Sequence, residues 1–345
     1  MRKIKTISFL LLCITVFVLF YLFGSTVTES VKHSLKICYS SIIPSLFPYF
    51  IVSQITISVL KSTRISPALY AFVCSLLSGY PNGTASVCTL YNEGIIKRKN
   101  AVALLFCTAN ASPAFIITFV GICILKSKTA GTIIMISQLI SALCCFFMFR
   151  TNIVTISEPS SFNLSETLTN SISKSVEGTL QVCGSITFMG VIADLIIHFK
   201  IDLLILKILF FIPKKILRPI LIGMIELTRG ISLVDYTDKT AFITASVIVG
   251  FSGISIILQC SKHANCSKLP VYPIIINKLL YAIAMPAITA IILNFTDITY
   301  ITQKNNTKTV IFSIIIIFSI LFLYLFFDKY IIKIYNKEKR QGDLN

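Results

Sequence analysis

Two short stretches join helix-breaking residues to hydrogen-bonding ones inside long apolar runs. The first is Ser78-Gly79-Tyr80-Pro81-Asn82-Gly83-Thr84. Glycine and proline this dense break a helix. At membrane depth a break leaves backbone N–H and C=O groups unpaired, at several kcal/mol each unless something satisfies them. A polar solute is one such partner, with Asn82 and Thr84 adding side-chain donors and acceptors. The alternative is a tight cytoplasmic turn between two helices. The second stretch is Asn110-Ala111-Ser112-Pro113, midway along the charge-free run Asn100–Leu125. Pro113 removes one backbone bond and frees carbonyls a turn earlier. A half-helix starting near Ser112 directs N–H groups and the positive end of its dipole into the protein, an arrangement that binds carboxylates. The competing account is a kinked helix whose Asn110 and Ser112 bond a neighbouring helix.

A third stretch, Gly250-Phe251-Ser252-Gly253, has glycine where the second has proline. Ser252 and Gly253 therefore mark a softer break, or else a place where helices pack closely through small residues. Glu226 and Arg229 are three residues apart and share a helix face. If buried, Arg229 is a candidate counter-charge for an anion. At an interface the two form a solvated pair. Asp194 and Glu93 fit either proton coupling or ordinary helix ends.

The elements that hold these residues are membrane helices. Hydrophobic residues make up 55% of the 345-residue chain and charged residues 13%; the mean hydropathy is +0.85. A soluble domain carries about 25% charged residues. The composition excludes a soluble enzyme and a disordered chain, and the long continuous apolar runs argue against a β-barrel. Eight charge-free runs have the length of a span: Ile7–Gly24, Ile37–Leu60, Asn100–Leu125, Thr129–Phe149, Gly178–Ala193, Thr240–Ser261, Leu279–Thr296 and Thr309–Phe327. A ninth, Ile65–Asn92, is rich in Ser, Gly, Pro and Asn and reads as a broken or re-entrant element. The expected fold is all-α and polytopic, with about eight spans plus broken helices. The first run is longer than a signal-peptide core and lacks a good cleavage signal, so it reads as an uncleaved helix.

The formal net charge is +17, from 31 Lys and Arg against 14 Asp and Glu. Basic residues cluster at the ends of apolar runs, as in Lys97-Arg98-Lys99, the pattern of cytoplasmic loops facing anionic lipid. No basic patch is interleaved with base-stacking aromatics, so no nucleic-acid partner is expected. Lys200 to Lys239 carries seven basic residues although it would lie outside. Its apolar pieces Leu203–Ile212 and Ile216–Ile225 are too short to span, and a second re-entrant or interfacial hairpin fits them.

Most of the eleven cysteines lie in apolar runs and read as packing residues. Cys260, His263 and Cys266 could contact a soft metal, but a structural site wants a fourth ligand. No metal or other cofactor is expected. The three histidines are isolated, and no nucleophile motif, phosphate loop or metalloprotease helix occurs, so no enzyme is expected.

The two halves overlay at an offset near 140 residues. Phe50–Ile55 falls on Gly190–Leu195, Asn110–Pro113 on Gly250–Gly253, and Gly79–Gly83 near Gly223 to Gly230. Such repeats occur in secondary transporters, whose sites lie where discontinuous helices meet. The expected organisation is an N-terminal anchor and loop (1–36), a first repeat (37–149), a polar linker (150–177), a second repeat (178–261) and C-terminal helices with a basic tail (262–345).

Pro44-Ser45-Leu46-Phe47-Pro48, Ser78-Gly79-Tyr80-Pro81-x-Gly83, Leu90-Tyr91-Asn92-Glu93-Gly94 and Leu105 through Ile116 resemble the YlbJ family of sporulation integral membrane proteins. That family falls within the membrane proteins carrying a nucleoside-recognition gate domain. The resemblance covers about Ser40–Ser261, and Asn82, Thr84-Ala85 and Ala111 depart from the pattern. It implies a role in endospore formation. It also implies similarity to proteins implicated in moving dipicolinic acid across the outer forespore membrane. Dipicolinate is a planar dianion, suited to helix N-termini, amides and an Arg. The expected site comprises Gly79, Tyr80, Pro81, Asn82, Gly83, Asn110, Ser112 and Pro113, with Arg229, Ser252 and Gly253 opposite. The expected partners are a small anionic solute, the bilayer, and a further copy of the chain or other sporulation membrane proteins. A nucleoside or another small carboxylate, and a non-transporting assembly role, are the alternatives.

Overall fold

The computed structural model describes residues 2–61, 66–149, 163–235 and 239–295. Among them are fourteen α-helices, two π-helical segments and no strand. The run Thr309–Phe327 and the basic tail lie outside the described residues.

Four helical stretches among the described residues are long and apolar enough to cross a membrane: Lys128–Phe149, Leu164–His198, Lys239–Cys266 and Tyr272–Asn294. The bent pair Thr6–Leu22 and Gly24–Ile42 adds a fifth if it is one span. The chain is thus an all-α, multi-pass membrane protein. Three expected runs are interrupted among the described residues: Ile37–Leu60 by a π-turn at Cys38–Ile42, Asn100–Leu125 by unwinding, and Thr240–Ser261 at Ser252. Helix α1 (Arg2–Leu22) turns through 92° into α2 (Gly24–Ile37). The run Asn100–Leu125 divides into α6 (Arg98–Leu105), an unwound stretch over 106–112, and a helical segment that is π-helical over Phe115–Ile124.

Helix α8 (Leu164–His198) is the longest element, at 35 residues. It takes in much of the stretch expected to be a polar linker. Asn163 starts it by accepting from Ser165 N–H at 3.1 Å, and Ser171 and Ser175 face inward. The serines that suggest a loop are here the packing face of a helix. Antiparallel to α8 run α2, a π-turn (Cys38–Ile42) and α3 (Ile43–Lys61). The pairing is explicit: Phe23 packs on His198 at 5.3 Å, Gly190 faces Ser34, and Gly178 faces Phe50. The end of α3 therefore lies beside the start of α8, and His198 lies at the opposite end of the bundle.

That antiparallel frame decides where two hairpins enter. Helices α4 (Pro67–Ser78) and α5 (Asn82–Asn92) follow α3. Ser66 caps α4 by accepting from Leu69 N–H at 3.3 Å, with Pro67 in the first turn. The two helices fold back on each other, Gly83 against Ser75. Helices α9 (Ile201–Ile208), α10 (Lys214–Ile225) and α11 (Leu227–Ser232) follow α8. Here α11 folds back on α10 where Gly230 meets Gly223. Arg218 holds α10 to α9 through buried Asp202 at 2.8 Å. The two hairpins thus enter from opposite ends of the bundle, and neither crosses it.

Helix α7 (Lys128–Phe149) and α12 (Lys239–Phe251) flank α14 (Tyr272–Asn294). Thr289 of α14 joins them, its hydroxyl 2.8 Å from both Ser137 and Ser246. Helix α13 (Gly253–Cys266) continues α12 after a one-residue interruption at Ser252.

Candidate functional site

The tip of the first hairpin is Gly79-Tyr80-Pro81. Gly79 has φ +72°, and a Cβ there would stand 2.6 Å from Ser112 N. Only glycine fits this conformation and this gap. The tip therefore lies directly on the unwound stretch. Tyr80 N–H donates to Asn110 C=O at 2.6 Å, Gly83 lies against the Thr108 carbonyl, and Pro81 is buried behind them. Of the first-half residues expected at the site, Gly79, Tyr80, Pro81, Gly83, Asn110 and Ser112 come together here. Pro113 follows at the start of the next helical segment, and Asn82 opens α5 and faces away into a separate cavity.

Much of the backbone of the unwound stretch is paired within the protein. Buried polar groups need partners, and neighbouring side chains supply them. Gln138 of α7 clamps Ala111 from both sides, accepting from its N–H at 3.0 Å and donating to its C=O at 2.8 Å. Asn110 donates to Ser75 Oγ at 2.8 Å and to Cys107 C=O at 2.9 Å. Helix α14 supplies the rest. Asn277 donates to Phe106 C=O at 2.6 Å, Lys278 Nζ to Ala109 C=O, and Tyr281 Oη to Asn110 Oδ1 at 2.8 Å. Ser112 caps the following segment by accepting from Phe115 N–H at 3.2 Å. Asn110, expected at the site, is bonded inside the protein through both its amide nitrogen and its oxygen.

Lys278 joins the two halves. Its ammonium also donates to Ser252 Oγ at 3.0 Å, where the second-half helix breaks with Ser252 at φ +66°. It sits 4.8 Å from the centroid of the Tyr80 ring, within range of a cation–π contact. The residue is 1% exposed, and among the described residues no carboxylate forms an ion pair with it. Sequence reading missed Lys278 because it stands just before the apolar run Leu279–Thr296, where a charge reads as a helix end. The available signal was helical spacing, since Asn277, Lys278, Tyr281, Met285 and Thr289 line one buried face of α14.

Gly253 packs against the tip of the second hairpin, where a Cβ would stand 3.2 Å from Ile225 C=O and 3.3 Å from Leu227 N. The tip itself is Glu226. It is 1% exposed and accepts from Thr228 N–H at 3.1 Å, Arg229 N–H at 2.8 Å and Thr228 Oγ at 2.5 Å. Glu226 therefore caps α11 and does not pair with the Arg229 guanidinium. Arg229 is also not opposite the first-half residues. It reaches across to α8 and α2, pairing with Asp194 at 2.9 Å and donating to Ser30 C=O at 3.0 Å and Ser34 Oγ at 3.0 Å, with His33 Nδ1 also against it. Asp194 is the partner of Arg229 rather than a bare helix end.

Both tips border a cavity of about 30 Å³, lined by Tyr80, Ser112, Glu226 and Thr228 and by apolar Phe50 and Ile256. That is room for about one water, so the meeting point is closed. Among the described residues no three His, Cys, Asp or Glu side chains are placed to hold a metal ion, Cys260, His263 and Cys266 included.

No protein-family model and no solved structure matches the chain. It is 25% identical over 304 residues to the sporulation integral membrane protein YlbJ of Bacillus subtilis (strain 168), covering 74% of this chain and 74% of that protein. The first-half motifs and the all-α multi-pass fold agree with this similarity to a sporulation integral membrane protein.

Proposed function

We propose that this sporulation membrane protein carries a small anionic solute across the bilayer, with dipicolinate as the leading substrate. One observation carries the reading: Lys278 is a fully buried cation at the junction of a hairpin tip and two helix breaks, with no carboxylate paired to it. An ionisable side chain inside a membrane protein is costly and marks a solute or ion path. A lysine held by a carbonyl, a hydroxyl and a ring lacks the negative partner that a dianion supplies. Two hairpins that enter from opposite ends and meet in the middle suit alternating access, because either tip can withdraw while the other holds. The membrane is the bacterial cytoplasmic membrane, and in a sporulating cell the outer forespore membrane. A nucleoside or another small carboxylate is the nearest alternative solute.

The test is flux of labelled dipicolinate into proteoliposomes holding the purified chain, against protein-free vesicles and Lys278→Met. The expected result is saturable uptake, reduced at least tenfold in Lys278→Met. Methionine removes the buried charge at similar volume but leaves Ala109 C=O without its donor, so thermal unfolding in detergent is measured beside flux and the loss of uptake is read on inserted, folded protein. Absence of uptake by well-folded parent protein for dipicolinate, nucleosides and small carboxylates would overturn transport and favour an assembly role. Uptake unchanged in Lys278→Met would remove Lys278 from the path.

A further inference from the structure

A second cavity, of about 280 Å³, lies between α3, α5, α8 and α13, apart from the closed junction. Its wall is polar where a packed membrane core would be apolar. Asn82, Ser86 and Thr89 lie along one face of α5, and Gln54 and Gln181 face them from α3 and α8. The side-chain amides of Gln54, Asn82 and Gln181 bond no other described side chain, so they remain free to bind a solute. Lys174 and His263 supply basic groups, and Glu177 is the acid of the wall. From Thr89 to Asn82 the cavity follows α5 for roughly 10 Å. Its inner end, Asn82, is two residues from Tyr80 at the hairpin tip.

The cavity has a definite side. Helix α5 ends at Asn92, whose amide donates to Ser267 Oγ just beyond α13 at 3.1 Å. Lys97, Arg98 and Lys99 follow α5, and Lys262 and Lys268 flank the end of α13. Basic residues mark the cytoplasmic face; Lys200 to Lys239 makes the opposite end basic as well, and labelling from one face at a time decides between the two. The opposite end of the bundle is shut at the second hairpin, where Arg229 is bonded to both α2 and α8.

We infer that this cavity is a cytoplasm-facing vestibule that holds a small carboxylate before it reaches the hairpin tips. The carboxylate lies toward Lys174 and His263, and the remaining polar atoms lie toward the amides of Gln54, Asn82 and Gln181. The assignment rests on the transport reading and names the site and side from which the solute is taken.

The test places a thiol in the wall. Ser86→Cys is made in a chain whose Cys13, Cys123, Cys144 and Cys266 are replaced by serine, and vesicles of both orientations receive a membrane-impermeant thiol reagent. The thiol should react only from the cytoplasmic face. Dipicolinate should slow the reaction at least fivefold, and Gln181→Leu should abolish that protection without changing the unprotected rate. Reaction from the other face, from both faces or from neither overturns the vestibule. Protection by a neutral nucleoside but not by dipicolinate overturns the ligand class. Flux with no protection refutes the vestibule and leaves transport standing. Protection with no flux refutes transport and leaves a binding site.

Discussion

Tyr281 Oη stands 2.8 Å from Asn110 Oδ1, and this bond fixes α14 to the one long stretch of the described chain that is neither helical nor exposed. It accounts for the phenol proton of a fully buried tyrosine and for the free oxygen of a fully buried amide. The unwound backbone beside it is held by Gln138 on one side and by Asn277 and Lys278 on the other. The break is therefore a built element of the fold, and a solute meets its edge rather than its bare backbone.

The sequence alone leads one to expect that Asn110→Leu abolishes transport and leaves insertion intact. The structure changes that expectation. Leucine removes the donor to Cys107 C=O and the acceptor of Tyr281 Oη, at about 1–3 kcal/mol for each group left unpaired, while Ser75 Oγ keeps its bond to Phe72 C=O. Asn110→Leu should lower protein level and thermal stability together with flux. Tyr281→Phe removes one bond and should cost about 1–3 kcal/mol, read from thermal unfolding in detergent, with most of the flux retained.

Two glycines should be intolerant of alanine for steric reasons. A Cβ at Gly79 meets Ser112 N at 2.6 Å, and one at Gly230 meets Gly223 Cα at 2.2 Å. Each alanine variant should lose about 1–3 kcal/mol or more. Gly184→Ala is the control. It lies inside α8 with nothing within 4 Å of the new Cβ, and it should be neutral or gain up to about 1 kcal/mol. Equal melting temperatures for the three variants would contradict the close approaches.

Arg229 and Asp194 should behave as one unit. Arg229→Met leaves Asp194 without its partner, and Asp194→Asn leaves Arg229 largely buried with a weaker one. Removing one partner of a buried pair costs roughly 3–5 kcal/mol, while replacing both costs far less. A double-mutant cycle in unfolding free energy should show the double variant well above the sum of the single losses. Because this pair closes the end opposite the vestibule, Asp194→Asn should also admit thiol reagents from that end.

Much of the architecture is legible in the residues, because burial and backbone pairing in lipid leave few options. Ile65–Asn92 is charge-free but dense in Gly, Pro, Ser and Asn, and Pro67–Asn92 within it forms the first hairpin. Leu203–Ile212 and Ile216–Ile225 are too short to span, and their neighbourhood forms the second. Pro113 and Gly253 mark real interruptions. Residues 150–177 read as a polar linker, and from Leu164 onward they are helix α8, because serine at helical spacing on a packed face has the same composition as a loop.

What the sequence determined by itself is the solvent of this protein and the places where its helices stop. Apolar length, charge sparsity and helix-breaking residues act locally, and each is readable from a short window. The tertiary structure alone decided which breaks meet and what satisfies them. Arg229 looks like a counter-charge in sequence, but the antiparallel packing of α2 on α8 delivers Asp194, Ser30 and Ser34 to it. Lys278 looks like a helix end, but the crossing of α14 over the unwound stretch buries it between Ala109, Ser252 and Tyr80. Those partners lie 26 or more residues away along the chain, and only long-range packing, which no local pattern encodes, brings them together.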